Sequence, residues 1–241
     1  MFIILTIKYI LHHNIIYKHI LYQRKMGRFI DLTMRLKEDM PVYPGDPQFS
    51  RVIRKADESQ GRTSYQTWTL GNHNGTHIDY PRHVFEEGAT SSDYDTPTNF
   101  AMPGTFHNLK GIMPVIYEKD IENIKGVKGA LLLYTGFTEL IQEIKCVNSL
   151  GYLPYLTLKA TQTILHNNPH IMRLGIDSFS VDKKGSLDVH KLLLYKGIPI
   201  IEGLTNLSEI NMMRRKNFTF HCIPLRVDGA DAVPVRAYAE F

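Results

Sequence analysis

The sequence predicts a single mixed α/β domain, and three observations carry that expectation. Short apolar runs bounded by glycine or proline, "GALLLYTGF" (129–137), "IMRLGID" (171–177) and "IPIIEGL" (198–204), have the length of buried strands. Between and beside them lie stretches, 153–168 and 187–197, whose apolar residues recur at helical spacing. No repeat, low-complexity tract or linker interrupts the series, so the 241 residues read as one domain.

Taken in order, "RFIDLTM" (28–34) alternates as a strand and is followed by the turn-rich "YPGDP" at 43–47. "SYQTWTL" (64–70) is rich in β-formers and runs straight into a histidine cluster. After the strand at 129–137, the helix at 153–168 places Leu158, Thr161, Ile164 and Leu165 on one side and stops at Asn-Asn-Pro. The strand at 171–177 leads to a second helix that closes on Gly197, then to the strand at 198–204. "FTFHCIPLRV" (218–227) is a long strand, and "VPVRAYAEF" (233–241) closes the chain.

A hydrophobic content of 43% with 22% charged residues is that of a soluble globular protein. The net charge of +4 arises entirely from residues 1–25, which hold Lys8, Lys18, Arg24 and Lys25 and no acid. The remainder is balanced, so nothing in the body of the chain marks a nucleic-acid partner. Polar residues interrupt that leader too often for a membrane span, and it lacks the basic start and cleavage site of a signal peptide. Met26 opens the first strand-like alternation. The expected domain is therefore 26–241, with 1–25 an untranslated or disordered leader. Cys146 and Cys222 stand alone, as buried thiols of a reducing, cytoplasmic compartment do.

The stretch "GNHNGTHIDYPRH" (71–83) carries three histidines and an aspartate. As a helix it would send Asp79 to the side opposite His73 and His77, and Gly75 and Pro81 oppose a helix as well. As a straight strand it would hold His73 and His77 about 13 Å apart, too far for one ion. The Asn74-Gly75 pair removes the conflict, because a tight bend there folds His73 back toward His77. His77 and Asp79 then share one strand face about 6.7 Å apart at Cα. Two imidazoles and a carboxylate suit zinc, manganese or iron and leave positions open. Pro81 ends the strand and puts His83 on a loop beside the site. Glu202, in an otherwise apolar strand, needs a buried cation or ion as partner.

The pattern His73-x-Gly75-Thr76-His77-x-Asp79-x-Pro81-x-His83 resembles the signature of the cyclase family of metal-dependent hydrolases, which includes kynurenine formamidases and isatin hydrolases. "PVYPGDP" (41–47), "GIDSFSVD" (175–182), "IPIIEGLTNL" (198–207) and "VPVRAYA" (233–239) are similar to family segments in family order. The resemblance implies a fold of the swivelling β/β/α type and a second ion held by His190 and Glu202, with Asp79 bridging. It also implies a homodimer or homotetramer. Three departures bear on the substrate: Asn74 where threonine is common, Arg82 at a usually apolar position, and Gly203 rather than asparagine after Glu202.

The function so implied is hydrolysis of a small amide, an N-formyl aryl amine or related lactam, with one or two divalent ions, zinc first and manganese second. Such an ion lowers the pKa of its water toward about 7 and stabilises the oxyanion, while His83 takes and returns the proton. Tyr43 is expected to line the substrate pocket, and Arg82 to attract a substrate carboxylate. Two rival readings use the same residues. A non-haem iron oxygenase would need only His77, Asp79 and a distal histidine, and a metal-binding protein without catalysis would have no use for His83.

Overall fold

The computed structural model of the protein describes residues 28–144, 153–213 and 217–241, so the predicted leader and Cys146 lie outside the described residues. Its strands begin with β1 (Phe29–Asp31), β2 (Ser50–Arg54), β3 (Tyr65–Thr69) and β4 (His77–Asp79). They continue with β5 (Ala101–Asn108), β6 (Val115–Ile116), β7 (Lys128–Tyr134) and β8 (Tyr155–Leu156). The last four are β9 (His170–Ile176), β10 (Ile200–Glu202), β11 (Phe218–Pro224) and β12 (Ala232–Glu240). The helices are α1 (Glu118–Ile121), α2 (Phe137–Ile144), α3 (Leu158–Asn167), α4 (Asp188–Tyr195) and α5 (Leu207–Met212).

One sheet runs β1-β12-β11-β5-β7-β9-β10-β4, and β4 pairs again with β12, closing a barrel. The nine residues of β12 make this possible: Tyr238–Glu240 pair with β1, and Ala232–Pro234 pair with β4. The segment β5-β7-β9-β10 is parallel, and the other pairings within this sheet are antiparallel. This is the mixed α/β domain predicted from the sequence.

The two-residue period of a strand sorts the side chains. In β7, Ala130, Leu132 and Tyr134 face the barrel interior with Ile78, Ile201, Phe220 and Ala237. Leu131 and Leu133 face outward, against Ile121 of α1, Ile164 of α3 and Leu193 of α4. Burial on both faces is why this strand reads as an unbroken apolar run. Each buried leucine contributes roughly 1.5–3 kcal/mol, so the run anchors the barrel to its helices.

The same alternation sends chemistry to the outer face. Ile78 and Ile201 point inward, so His77, Asp79 and Glu202 point outward, under the layer of α4. Antiparallel pairing sets Glu202 opposite His77 and Ile200 opposite Asp79. Helix α3 starts where Thr157 accepts a hydrogen bond from the Ala160 amide (3.0 Å). It stops at Asn168, whose amide group donates to the carbonyls of Ile164 (2.8 Å) and Ile124 (3.1 Å). No helix among the described residues is long and apolar enough to cross a membrane.

The structure departs from the expected series in several elements: β2, β6, β8, α1, α2 and α5 were not expected, and the helix expected over 153–168 begins at Leu158, after β8. The strand expected over 218–227 ends at Pro224. Strand β5, which no sequence signal announced, carries Pro103 and Gly104 at its centre. Pro103 pairs only with β11, because β7 joins the ladder at Gly104, and the missing Cβ of Gly104 admits the Phe218 ring.

Candidate metal centre

The chain bends between β3 and β4 as expected, and within the Asn-Gly pair Gly75 alone takes left-handed backbone, at φ 69°. Asn74 acts through its side chain instead: its oxygen accepts from the Gly71 amide (2.6 Å) and its amide donates to the Pro47 carbonyl (3.1 Å). Thr76 ties the bend to β10, its hydroxyl donating to the Gly203 carbonyl (2.7 Å) and accepting from the Met34 amide (2.8 Å). Gly203 has φ 67°, and a Cβ there would overlap the Gly75 carbonyl oxygen. The departure from asparagine after Glu202 thus has a local reason in this chain. The result is the predicted convergence, with the rings of His73 and His77 5.0 Å apart at their centroids.

The five predicted ligands meet on the outer face of β4 and β10. His73 Nδ1 lies 3.0 Å from Asp79 Oδ1, and His77 Nε2 lies 3.5 Å from the same oxygen. On the other side, His190 Nε2 lies 3.4 Å from both Asp79 Oδ2 and Glu202 Oε1. His77 Nε2 is 3.7 Å from Glu202 Oε2. Asp79 therefore stands between two groups of nitrogens. The ligand atoms of His73, His77 and Asp79 lie within 4.8 Å of one another, close enough for one ion.

The donor set fits a divalent cation for a reason beyond proximity. His77 Nδ1 donates to the Gly75 carbonyl at 3.0 Å, which leaves the Nε2 lone pair facing the cluster. His190 Nδ1 donates to Asp182 Oδ2 at 2.8 Å, with the same consequence at its Nε2. His77 Nε2 and both oxygens of Asp79 are buried without any hydrogen-bond partner. Buried, unmet acceptors of this kind are costly unless a cation meets them.

The ionisation of the cluster points the same way. Burial disfavours the Asp79 carboxylate, yet the surrounding His77, His190 and His73 hold its pKa well below the usual range. Burial likewise opposes the His73 cation, but Asp79, with Asp231 and Glu202 beyond it, carries that pKa to about 9. His190 is raised against its own burial by Asp182, Asp79 and Glu202. Protons here supply the positive charge that a metal would bring.

His83 sits in a 3-10 turn opened by Pro81 and faces the same cavity, with its ring 4.4 Å from His73 and 5.5 Å from His190. Its Nδ1 is 3.3 Å from Asp231 Oδ2, a partner the sequence reading did not single out. Asp231 is 148 positions away in the chain and stands in "DGAD", which reads as an ordinary turn. Register brings it near: Ala232 pairs with Asp79, and the Tyr80 amide donates to the Asp231 carbonyl at 2.9 Å.

The cavity holds about 260 Å³ and is lined by Tyr43 together with Asp46, Phe179 and Leu187. Arg82 is exposed and does not line it, because the turn that aims His83 inward aims Arg82 to solvent. No lysine or arginine is among the described residues lining the cavity, so the expected attraction of a substrate carboxylate by Arg82 finds no support in its geometry. His107 and His221 make contacts elsewhere, with the Asp120 carbonyl and with Glu240.

A closed mixed barrel with three histidines and two carboxylates gathered on its outer face, beside a cavity that His83 also faces, has the makeup of a metal-dependent enzyme centre. Residues 30–183 match the family described as "Putative cyclase", and the chain belongs to that family. It is 32% identical over 218 residues to a kynurenine formamidase of Geobacillus thermodenitrificans (strain NG80-2), covering 88% of this chain and 97% of the relative. A kynurenine formamidase of Bacillus mycoides (strain KBAB4) is 28% identical over 217 residues, with the same coverage. Among solved structures, isatin hydrolase A from Ralstonia solanacearum superposes with a TM-score of 0.76 at 18% identity, covering 91% of this chain and 93% of that one. A protein described as a "predicted metal-dependent hydrolase" from Bacillus stearothermophilus gives 0.69 at 24% identity, covering 88% and 97%. These two structures speak to the fold.

Proposed function

We propose that the protein is a divalent-metal-dependent hydrolase of a small amide, an N-formyl aryl amine or related lactam, cleaving a C–N bond outside peptides. The observation that carries this reading is the set of buried unmet acceptors, His77 Nε2 and both Asp79 oxygens, beside a cavity that His83 also faces. The similarity to kynurenine formamidases along nearly the whole domain supports an amide substrate.

His73, His77 and Asp79 would hold one ion, with His190 and Glu202 holding a second beside Asp79. Zinc suits this mixed nitrogen and oxygen set, with manganese next. A bound ion supplies a water acidic enough to act as nucleophile near neutral pH and positive charge for the carbonyl oxygen. The chain's own part is to place and move groups. His83, whose Nδ1 is engaged by Asp231, has Nε2 left to accept a proton from the attacking water and return it to the leaving nitrogen. Tyr43, Phe179 and Leu187 give an apolar wall against which an aryl ring packs. A one-sided oxygenase triad would leave Glu202 and His73 without a role, which favours hydrolysis.

Cytoplasmic location and a homodimer or homotetramer complete the reading. The β2–β3 ribbon favours assembly, since both strands are exposed throughout and present Val52, Ile53, Tyr65 and Trp68 to solvent. The decisive variant is His83→Ala, assayed for metal content and for hydrolysis of N-formyl aryl amines. The expected result is full metal with turnover reduced about 10²- to 10⁴-fold. Loss of metal would make His83 a ligand and end the assignment of the base.

A further inference from the structure

We infer that Asp231 is the positioning residue of this site: it sets the tautomer of His83, and Asn72 sets the orientation of Asp231. The inference rests on the reading of His83 as the base. Asp231 Oδ2 accepts from His83 Nδ1 at 3.3 Å and lies 3.5 Å from His73 Nε2. The other oxygen, Oδ1, accepts from the Asn72 side-chain amide at 2.7 Å. The two carboxylate oxygens thus have separate tasks, one held by Asn72 and the other turned to the histidines.

A neutral imidazole carries one proton. With an acceptor at Nδ1, that proton resides there, and Nε2 keeps the lone pair that a base requires. A carboxylate serves because it only accepts. The backbone holds it rigidly in place, since the Asp231 carbonyl accepts from the Tyr80 amide and the Ala230 carbonyl from the Ser91 amide, both at 2.9 Å. Asp231 touches no substrate in this account. It acts through His83.

The arrangement has a consequence that simple packing would not. In Asp231→Asn, Asn72 still donates toward Oδ1, so the new amide keeps its oxygen there and turns its NH₂ group to His83 Nδ1. His83 must then accept at Nδ1 and carry its proton on Nε2, where it can no longer act as base. Adding Asn72→Asp reverses the amide, because the new carboxylate at position 72 accepts from its NH₂ group. The amide oxygen then faces His83, and the working tautomer returns with net charge unchanged.

The experiment compares the zinc-loaded wild type, Asp231→Asn and the Asn72→Asp/Asp231→Asn double variant by metal content, kcat and KM. Histidine-labelled ¹H–¹⁵N spectra report which His83 nitrogen is protonated. The single variant is expected to keep its metal and KM, lose kcat about 10²- to 10⁴-fold, and show the proton moved to Nε2. The double variant is expected to move the proton back to Nδ1 and recover at least about tenfold in kcat. An unchanged tautomer in the single variant, no recovery in the double variant, or metal loss that places the effect on His73 would each overturn the inference. If the wild type hydrolyses no amide, the functional reading fails by itself, while the spectra still decide whether Asp231 and Asn72 set the His83 tautomer.

Discussion

Asp182→Asn tests whether the metal ligands are held by their outer partners or merely lie near them. Asp182 Oδ2 accepts from His190 Nδ1 at 2.8 Å and from the His190 amide at 2.9 Å, and Oδ1 accepts from the Val189 amide at 3.0 Å. Both oxygens face donors, so either orientation of a replacing amide sets an NH₂ group against an N–H. The carboxylate is 2% exposed, and water cannot readily take over. Burial works against its ionisation, yet His190 and the amides of His190 and Val189 hold its pKa below the usual carboxylate range. Hydrogen bonds to a charged acceptor contribute about 1.5–3 kcal/mol each, so the metal-free variant should lose roughly 2–4 kcal/mol of stability in urea denaturation. With Nδ1 no longer a settled donor, His190 presents its Nε2 lone pair less well. Zinc affinity, measured by competition with a chelator, should fall about 10- to 100-fold. Reduced stability with unchanged zinc affinity would refute the reasoning, since Asp182 would then serve only the start of α4.

Three further outcomes follow from the same geometry. Gly203→Ala should cost about 2–4 kcal/mol and weaken metal binding, because it combines a positive φ with overlap on the Gly75 carbonyl; wild-type urea stability would contradict this. The His73 pKa is raised from 6.5 to about 9 in the metal-free protein, so its contribution is present in full below 6.5 and is lost as pH rises through 9. Metal-free stability should decline across that window, and zinc, which replaces the proton, should flatten the curve; an equal slope with and without zinc would contradict it. Burial pushes the Cys222 thiol up to about 12, so the Cys222 peptide should resist alkylation at pH 8 until the protein unfolds, as read by mass spectrometry.

Much of the site was legible because it is written in local chemistry. The bend at Gly75 and the alternation of His77, Ile78 and Asp79 follow from turn preference and strand period, both properties of adjacent residues. Glu202 was legible as an anomaly, a carboxylate in an apolar strand; its Oε1 accepts from the Val181 amide (2.8 Å) and lies 3.4 Å from His190 Nε2, with His77 opposed across the strand pair. Asp231 was not legible, since a register between the last strand and β4 brings it to His83. Strand β5 was hidden for a related reason: Pro103 and Gly104 argue against a strand locally, and only their neighbours on β11 and β7 make them tolerable. Arg82 misled because adjacency in sequence to His83 suggested adjacency in space. A 3-10 turn points the two side chains apart.

The central claim is that Asp79 and the histidines around it hold divalent metal, and metal content per chain tests it most directly. Protein purified without chelator and supplied with zinc or manganese should bind close to two ions per chain by elemental analysis. Asp79→Asn, which leaves the shape but weakens the carboxylate shared by both groups of ligands, should lose most of that metal while remaining folded by circular dichroism. Wild-type protein that binds no metal, or a folded Asp79→Asn variant that binds as much as the wild type, would contradict the account.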